Sequence, residues 1–163
     1  MKFTVLMLSC FLFGLFSSNP IIIKEATYQE VYGGVQGSGK TVEYRIKLEF
    51  SKKPDNLSIT GFIINGKYFD DFKLIPDKDS MIHYKKRDQK KYLNTAAKNE
   101  RVTISFADHQ KPGSNENMIP APTRDFDIPD NLKGKNLIIY QWKEKEKYTG
   151  IPTLNKKKPI YMP

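Results

Sequence analysis

One stretch of the chain has the spacing of a phosphate-binding loop. Residues 34 to 41 read GVQGSGKT, which matches the pattern G-x-x-x-x-G-K-[ST]. The matching positions are Gly34, Gly39, Lys40 and Thr41. Such a loop binds phosphate because its backbone N–H groups surround the anion. A helix that begins at the Lys-Thr pair also directs its dipole at the phosphate.

The residues after this loop predict a strand where that helix should begin. Residues 42 to 50, VEYRIKLEF, alternate apolar and charged side chains throughout, which is the pattern of a half-buried β-strand. We therefore predict that the match is coincidental, that the glycines bend a hairpin, and that no nucleotide binds. Nucleotide binding through GVQGSGKT is kept as the last of the alternatives.

Four acidic residues are candidates for a catalytic carboxylate pair. Glycoside hydrolysis uses two carboxyl groups that flank the scissile bond, and Glu43, Glu49, Asp70 and Asp71 could supply them. In the alternating strand, however, Glu43 and Glu49 belong to the solvent-facing set. The G-x-S-x-G and H-E-x-x-H signatures do not occur in the sequence. We therefore assign no catalytic residue.

Histidines and clustered aspartates are the candidate metal ligands. His83 and His109 are the two histidines of the chain, and a zinc site built on them would need carboxylates to complete it. Asp125, Asp127 and Asp130 lie close together in TRDFDIPD, but the glycine of a calcium loop is missing there. We therefore predict neither a bound metal nor a cofactor.

A basic segment with flanking aromatic residues is the candidate binding site. The chain has 27 basic and 18 acidic residues, a net charge of +9. Such patches bind anionic polysaccharide, lipid headgroups or nucleic acid, and the alternative is a solvated lysine-rich face. The patch consists of Tyr84, Lys85, Lys86, Arg87, Lys90, Lys91 and Tyr92.

The N-terminal residues have the layout of a secretory signal peptide. Lys2 precedes a short apolar run from Phe3 to Phe16, and two serines follow it. The run is shorter than the about 20 residues that span a membrane. We predict a signal peptide over residues 1–18 and no transmembrane anchor after processing. Attachment of a lipid at Cys10 is an alternative.

Several short segments predict further strands and no long helix. Ala26 to Tyr32 is rich in strand formers and would pair with residues 42–50 across the glycine loop. Asn65-Gly66 separates two apolar runs, Leu57 to Ile64 and Lys67 to Leu74, and this is a strong hairpin signal. The other predicted strands are Met81 to Tyr84, Arg101 to Ala107, Leu137 to Trp142, and pairings at Tyr148 to Gly150 and Ile160 to Met162.

These strands define the predicted fold. Residues 19–163 should form one all-β domain, a single antiparallel β-sandwich or an open barrel. Residues of about 110–135 carry several prolines and glycines without an apolar period, and they predict an irregular loop. If the mature chain starts after the signal peptide, it contains no cysteine, so its core must hold it together without a disulfide.

Five short motifs are spread along the chain: Tyr32-Gly33-Gly34, Gly37-Ser38-Gly39, Val42-Glu43-Tyr44, Ile63 to Phe69, and Pro159 to Pro163. Together they resemble the motifs of a group of small exported proteins of Bacteroidota that have no assigned activity. This resemblance implies export and a compact β-rich domain, and it offers no catalytic residue.

The sequence thus predicts an exported, non-catalytic β-sandwich that acts as an interaction or binding module of the cell envelope. Its candidate partners are another envelope protein or an anionic polysaccharide. The alternative is an envelope hydrolase that uses a carboxylate pair.

Overall fold

The computed structural model describes residues 19–34, 39–110 and 125–163. The predicted signal peptide, the alternative lipid site at Cys10 and residues 35–38 of the glycine loop lie outside this part of the chain. Residues 111–124 of the predicted irregular loop also lie outside it. Within the described residues, no helix is long and apolar enough to cross a membrane.

The described residues form short strands and one short helix. The strands are β1 Ile21–Tyr32, β2 Lys40–Phe50, β3 Leu57–Ile64, β4 Lys67–Phe69, β5 Lys73–Pro76, β6 Tyr84–Lys85, β7 Arg101–Gln110, β8 Leu137–Trp142, β9 Lys145–Gly150, β10 Asn155–Lys156 and β11 Ile160–Tyr161. The helix α1 spans Gln89–Leu93, and 3-10 turns occupy Lys86–Asp88 and Asp130–Leu132. The prediction of a β-rich chain without a long helix is confirmed for these residues.

Two open sheets pack face to face. The larger sheet has the strand order β10-β1-β2-β7-β5-β6, with β11 also paired to β1. The smaller sheet has the order β4-β3-β8-β9. The described strands close no barrel, so the sandwich prediction is confirmed over the barrel. The sheets are mainly antiparallel, but β10 and β11 pair with β1 in parallel.

Alternation along the strands of the larger sheet creates the core. Ile46 and Leu48 of β2 and Ile104 of β7 are fully buried between the sheets. Phe106 of β7 stacks on Phe62 of β3, with ring centroids 4.7 Å apart, and this contact joins the two sheets. The intervening residues of β2 and β7 point away from the core, so the outer face of the larger sheet is polar.

The predicted hairpin at Asn65-Gly66 is confirmed. Both residues have positive φ, 50° and 79°, as the tight turn between β3 and β4 requires. The prediction of one strand from Lys67 to Leu74 is wrong. The chain leaves the smaller sheet after β4 and enters the larger sheet at β5, and exposed Asp70 and Asp71 lie between the two strands.

The predicted strand from Met81 to Tyr84 is also mostly wrong. Only Tyr84 of that segment belongs to a strand, and Met81 is 92% exposed in the turn before it. The strands predicted at Arg101 to Ala107 and Leu137 to Trp142 are confirmed as β7 and β8.

A segment after residue 124 covers the outer face of the smaller sheet. Phe126, Ile128 and Leu132 pack there against Leu137 and Ile139 of β8. The described part of the predicted irregular loop therefore serves as an apolar cover.

The C-terminal segment follows the edge of β1. Lys156 forms an ion pair with Glu30, 2.6 Å between Nζ and Oε2. Tyr161 stacks on Tyr32 with centroids 5.2 Å apart, and the N–H of Met162 donates to the Tyr32 carbonyl at 2.9 Å. These contacts cover an edge that would otherwise be open to another chain.

Candidate functional site

A groove of about 420 Å³ opens on the outer face of the larger sheet. Its floor is β7, where the outward side chains Ser105 and Ala107 are small. Its walls are β2 and the start of β5, the neighbours of β7 on either side. The groove exists because two short side chains on the central strand lie between long charged ones on the flanking strands.

Strand register places two cations opposite each other. Arg45 of β2 is directly across from Ser105, and Ser105 is directly across from Lys73 of β5. Neighbouring strands lie about 4.8 Å apart, so the two walls stand about 10 Å apart. An anionic group above the Ser105 hydroxyl would therefore have a positive charge on each side.

Two acids also line the groove, one on each side of β7. Glu43 of β2 is across from Ala107, and Asp71 lies two residues before Lys73 on the other wall, where it also lines the groove. Residues two apart on a strand are separated by about 6.8 Å. The groove thus has an acidic end and a cationic end.

On the β2 wall, one ion pair connects the acidic end of the groove to its cationic end. Arg45 lies 3.6 Å from Glu43, nitrogen to oxygen, and their side chains are 57% and 38% exposed. An exposed ion pair of this kind contributes at most about 1 kcal/mol, so a ligand can replace it without a large loss.

The two histidines of the chain both line the groove. His109 Nδ1 lies 3.0 Å from the Thr41 hydroxyl, beyond the acidic pair. His83 Nε2 lies 3.1 Å from the Ser80 carbonyl oxygen, and since a carbonyl only accepts, this nitrogen carries a hydrogen. The described residues contain no group of three or more histidine, cysteine or acidic side chains that could hold a metal ion.

The four candidate acids have different surroundings. Glu43 and Asp71 share the groove, but Glu49 is paired with Lys24 and Arg101. The hydrogen bond from the Arg101 guanidinium holds the pKa of Glu49 below its usual range. Asp70 instead lies 3.4 Å from Lys86.

The basic-aromatic patch differs from the sequence interpretation in one respect. Tyr92 is only 2% exposed, since it packs in the core, stacks on Tyr84 at 5.3 Å and donates from its hydroxyl to Glu100. It is therefore unavailable to stack on a ligand. Burial raises the pKa of its hydroxyl.

The cations of the patch lie partly among acids. Lys86 is paired with Asp70, and Arg87 and Lys91 are paired with Asp88. Lys85 and Lys90 are exposed. Lys85 is directly across from Lys73, so the patch continues the cationic end of the groove.

The phosphate-loop match has the predicted strand context. Lys40 and Thr41 begin β2, and Lys40 is paired with Glu30 at 3.3 Å. A Cβ atom at Gly34 would overlap the backbone of Pro163, and Gly39 has a φ of 80°. Both positions therefore favour glycine for structural reasons, and the absence of nucleotide binding stays a prediction.

The three clustered aspartates of TRDFDIPD do not form a metal-binding group among the described residues. Asp125, Asp127 and Asp130 are all exposed, and Asp130 is paired with Lys133 at 2.6 Å.

No protein-family model, characterised protein or solved structure matches this chain. The site is therefore interpreted from its own geometry.

Sequence reasoning missed most of the groove. Arg45 and Lys73 were not among the candidate residues, because their proximity depends on strands that are distant in sequence. One signal was present: the outward positions of β7 include Ser105 and Ala107, which are short where β2 carries long charged residues.

Proposed function

We propose that this protein is an exported, non-catalytic binding module that holds an acidic group of an anionic surface polysaccharide in the groove of its larger sheet. One observation carries the proposal: Arg45 and Lys73 face each other across Ser105 in a single groove. A guanidinium, an ammonium and a hydroxyl are suitable donors for a carboxylate, sulfate or phosphate group.

A polymer is favoured as the ligand because the cationic end continues across the sheet. Lys85 on β6 is next to Lys73, about 4.8 Å further from Arg45. The exposed cations of the patch follow it. A chain that enters the groove can therefore reach further cations outside it. Export to the envelope rests on the layout of residues 1–18.

Isothermal titration calorimetry with an acidic and a neutral polysaccharide tests this function. Polygalacturonate should bind and dextran should not. The affinity should fall steeply at about 0.5 M salt, where the screening length drops to a few ångströms. The double variant Arg45→Gln with Lys73→Gln should bind at least about 10-fold more weakly, a loss of about 1.4 kcal/mol.

The matched control removes equal charge away from the groove. Lys145 is exposed on β9 and Lys53 is exposed in the turn after β2, so Lys145→Gln with Lys53→Gln lowers the net charge equally without touching the groove. If both double variants lose the same affinity for polygalacturonate, binding reflects only non-specific charge attraction and not the groove. No binding to any acidic polymer at low salt would exclude the function.

A hydrolase is the second candidate, because Glu43 and Asp71 flank the same groove. Wall strands about 10 Å apart leave room for a sugar and a water between two carboxyl groups. The hydrolase ranks second because Glu43 forms an ion pair with Arg45. A general acid usually has apolar surroundings, which keep its carboxyl group protonated.

Release of reducing ends from acidic polysaccharides tests the hydrolase. If the wild-type protein is active and both Glu43→Gln and Asp71→Asn lose this activity but still bind the polymer, the protein is a hydrolase rather than a non-catalytic binding module. An unchanged polymer after prolonged incubation with the wild-type protein would exclude it for the polymers tested.

A further inference from the structure

The charges in the groove are sorted by sign along its length. Glu43 precedes Arg45 by two residues on one wall, and Asp71 precedes Lys73 by two residues on the other. Because β2 and β5 are each antiparallel to β7, they run in the same direction. Asp71 lies just before β5 and lines the groove together with Glu43, so the acids lie toward one end of the groove and the cations toward the other.

A purely acidic ligand uses only half of this arrangement. A carboxylate or sulfate held between Arg45 and Lys73 competes with Glu43 for Arg45 and comes close to two acids of like charge. Like charges that are brought together at an interface oppose binding. A ligand that also carries a positive group would satisfy both ends.

We infer that the groove selects a zwitterionic unit, with an ammonium group between Glu43 and Asp71 and an acidic group between Arg45 and Lys73. This inference rests on the proposed function and names the ligand class of the same site. The two ends are two strand residues apart, so the charges of the unit should be separated by about 7 Å. A sugar that bears a free amine and an acidic substituent belongs to this class, as does a free ω-amino acid.

Small probes test the charge requirement directly. The expected order is that 6-aminohexanoate binds more tightly than hexanoate and hexylamine, each of which lacks one charge. Amino acids with shorter spacing, such as glycine, should bind more weakly than 6-aminohexanoate. The amide resonances of Ser105 and Ala107, which form the floor, should shift in NMR titrations with the zwitterion.

A matched pair of polymers identifies the source of the unit. Carboxymethyl chitosan carries amines and carboxylates, whereas carboxymethyl cellulose carries carboxylates on a similar backbone. Tighter binding of the chitosan derivative supports the inference with a polysaccharide as the source. If 6-aminohexanoate binds more tightly per site than the chitosan derivative, the inference holds with a free zwitterion as the source.

The double variant Glu43→Gln with Asp71→Asn separates the inference from the proposed function. It should lose the preference for 6-aminohexanoate over hexanoate, by at least about 10-fold, and bind polygalacturonate at least as tightly as the wild-type protein, because two acids that oppose an anionic ligand are removed. The control Glu25→Gln with Asp55→Asn changes the charge equally outside the groove and should keep the preference. Thermal unfolding of each variant checks that it is folded.

Equal binding of hexanoate and 6-aminohexanoate by the wild-type protein overturns the inference and leaves the proposed function standing. Failure of every acidic ligand to bind overturns both.

Discussion

The outer faces of the two sheets are built in opposite ways. On the smaller sheet, Leu137 and Ile139 are 1% and 0% exposed under the segment that carries Phe126 and Ile128. On the larger sheet, the corresponding face is open, and Arg45 keeps 57% of its side chain exposed beside the groove. One face contributes to stability, whereas the other presents charges and a cavity to solvent.

The difference follows from two kinds of strand sequence. β8 begins with an unbroken apolar run, Leu137 to Tyr140, whose residues are all buried, so both of its faces need cover. β2 alternates, and its outward positions are polar or charged. The covered face therefore belongs to a strand with a continuous apolar sequence. The face that is available for binding belongs to a strand with an alternating sequence.

The largest expected effect is on the covered face. Ile139→Ala should lower the free energy of unfolding by about 2–5 kcal/mol, because it leaves a cavity under the covering segment. Urea unfolding followed by circular dichroism measures this loss. The control Lys47→Ala, on the open face, should change it by less than about 1 kcal/mol, since Lys47 has only an exposed ion pair. Similar losses in the two variants would remove the distinction between the faces.

The next effect concerns Glu100, an acid just before β7 that has a structural role. Glu100 is only 11% exposed, unlike Glu43, and it accepts hydrogen bonds from Tyr92, Lys78 and the Ala97 N–H. Glu100→Gln should lower the free energy of unfolding by about 1.5–3 kcal/mol at neutral pH, because the bonds to a charged acceptor are weakened.

This loss should depend on pH. Burial alone would raise the pKa of Glu100, but its hydrogen bonds outweigh burial and lower the pKa. A lowered pKa in the folded protein means that the stabilisation is fully present above the pKa of the unfolded carboxyl group, about 4.3. It is then lost as the pH falls through the lower folded value. The difference between wild type and Glu100→Gln should therefore shrink in acid, and a difference that grows there would contradict this assignment.

A smaller effect is expected at the partly covered edge of β1. Tyr161 is 74% exposed but stacks on Tyr32 with an interplanar angle of 11°. Tyr161→Ala should cost about 0.5–1.5 kcal/mol and increase hydrogen exchange at the Met162 amide, which is bonded to the Tyr32 carbonyl. The conservative variant Tyr161→Phe should keep both properties. Unchanged exchange in Tyr161→Ala would show that the segment is held without the stack.

The smallest effect on stability is expected in the groove itself. Ala107→Leu fills the floor between Glu43 and Asp71, and it should change the free energy of unfolding by no more than about 0.5 kcal/mol because the position faces solvent. The same variant should abolish ligand binding, as measured by calorimetry. A loss of stability above about 2 kcal/mol would mean that this face, too, has a structural role.

Much of the fold could be predicted from local pattern. Period-two alternation identified β2 and β7, and the Asn65-Gly66 pair identified a hairpin because both residues tolerate positive φ. Local pattern failed at residues 67–74, since it shows that a segment is extended but not which sheet it joins. It also failed at Tyr92, whose burial depends on helix α1 packing against the core.

The candidate site depended still more on the tertiary structure. The sequence named Glu43 and Asp71 only as two of four possible acids, and only the tertiary structure decided which two share a groove. The patch at residues 84–92 was visible as a charge run, but its continuity with the groove depends on the register of Lys73 with Lys85.

The sequence by itself determined the alternating strands and the replacement of a helix by a strand after GVQGSGKT, because both depend on neighbouring residues. The tertiary structure alone decided that β2, β7 and β5 lie side by side, that Arg45 and Lys73 face each other across Ser105, and that Glu43 and Asp71 line the same groove. Their contacts join residues from 26 to 70 positions apart, and such long-range pairing is set by burial of the whole core rather than by local preference.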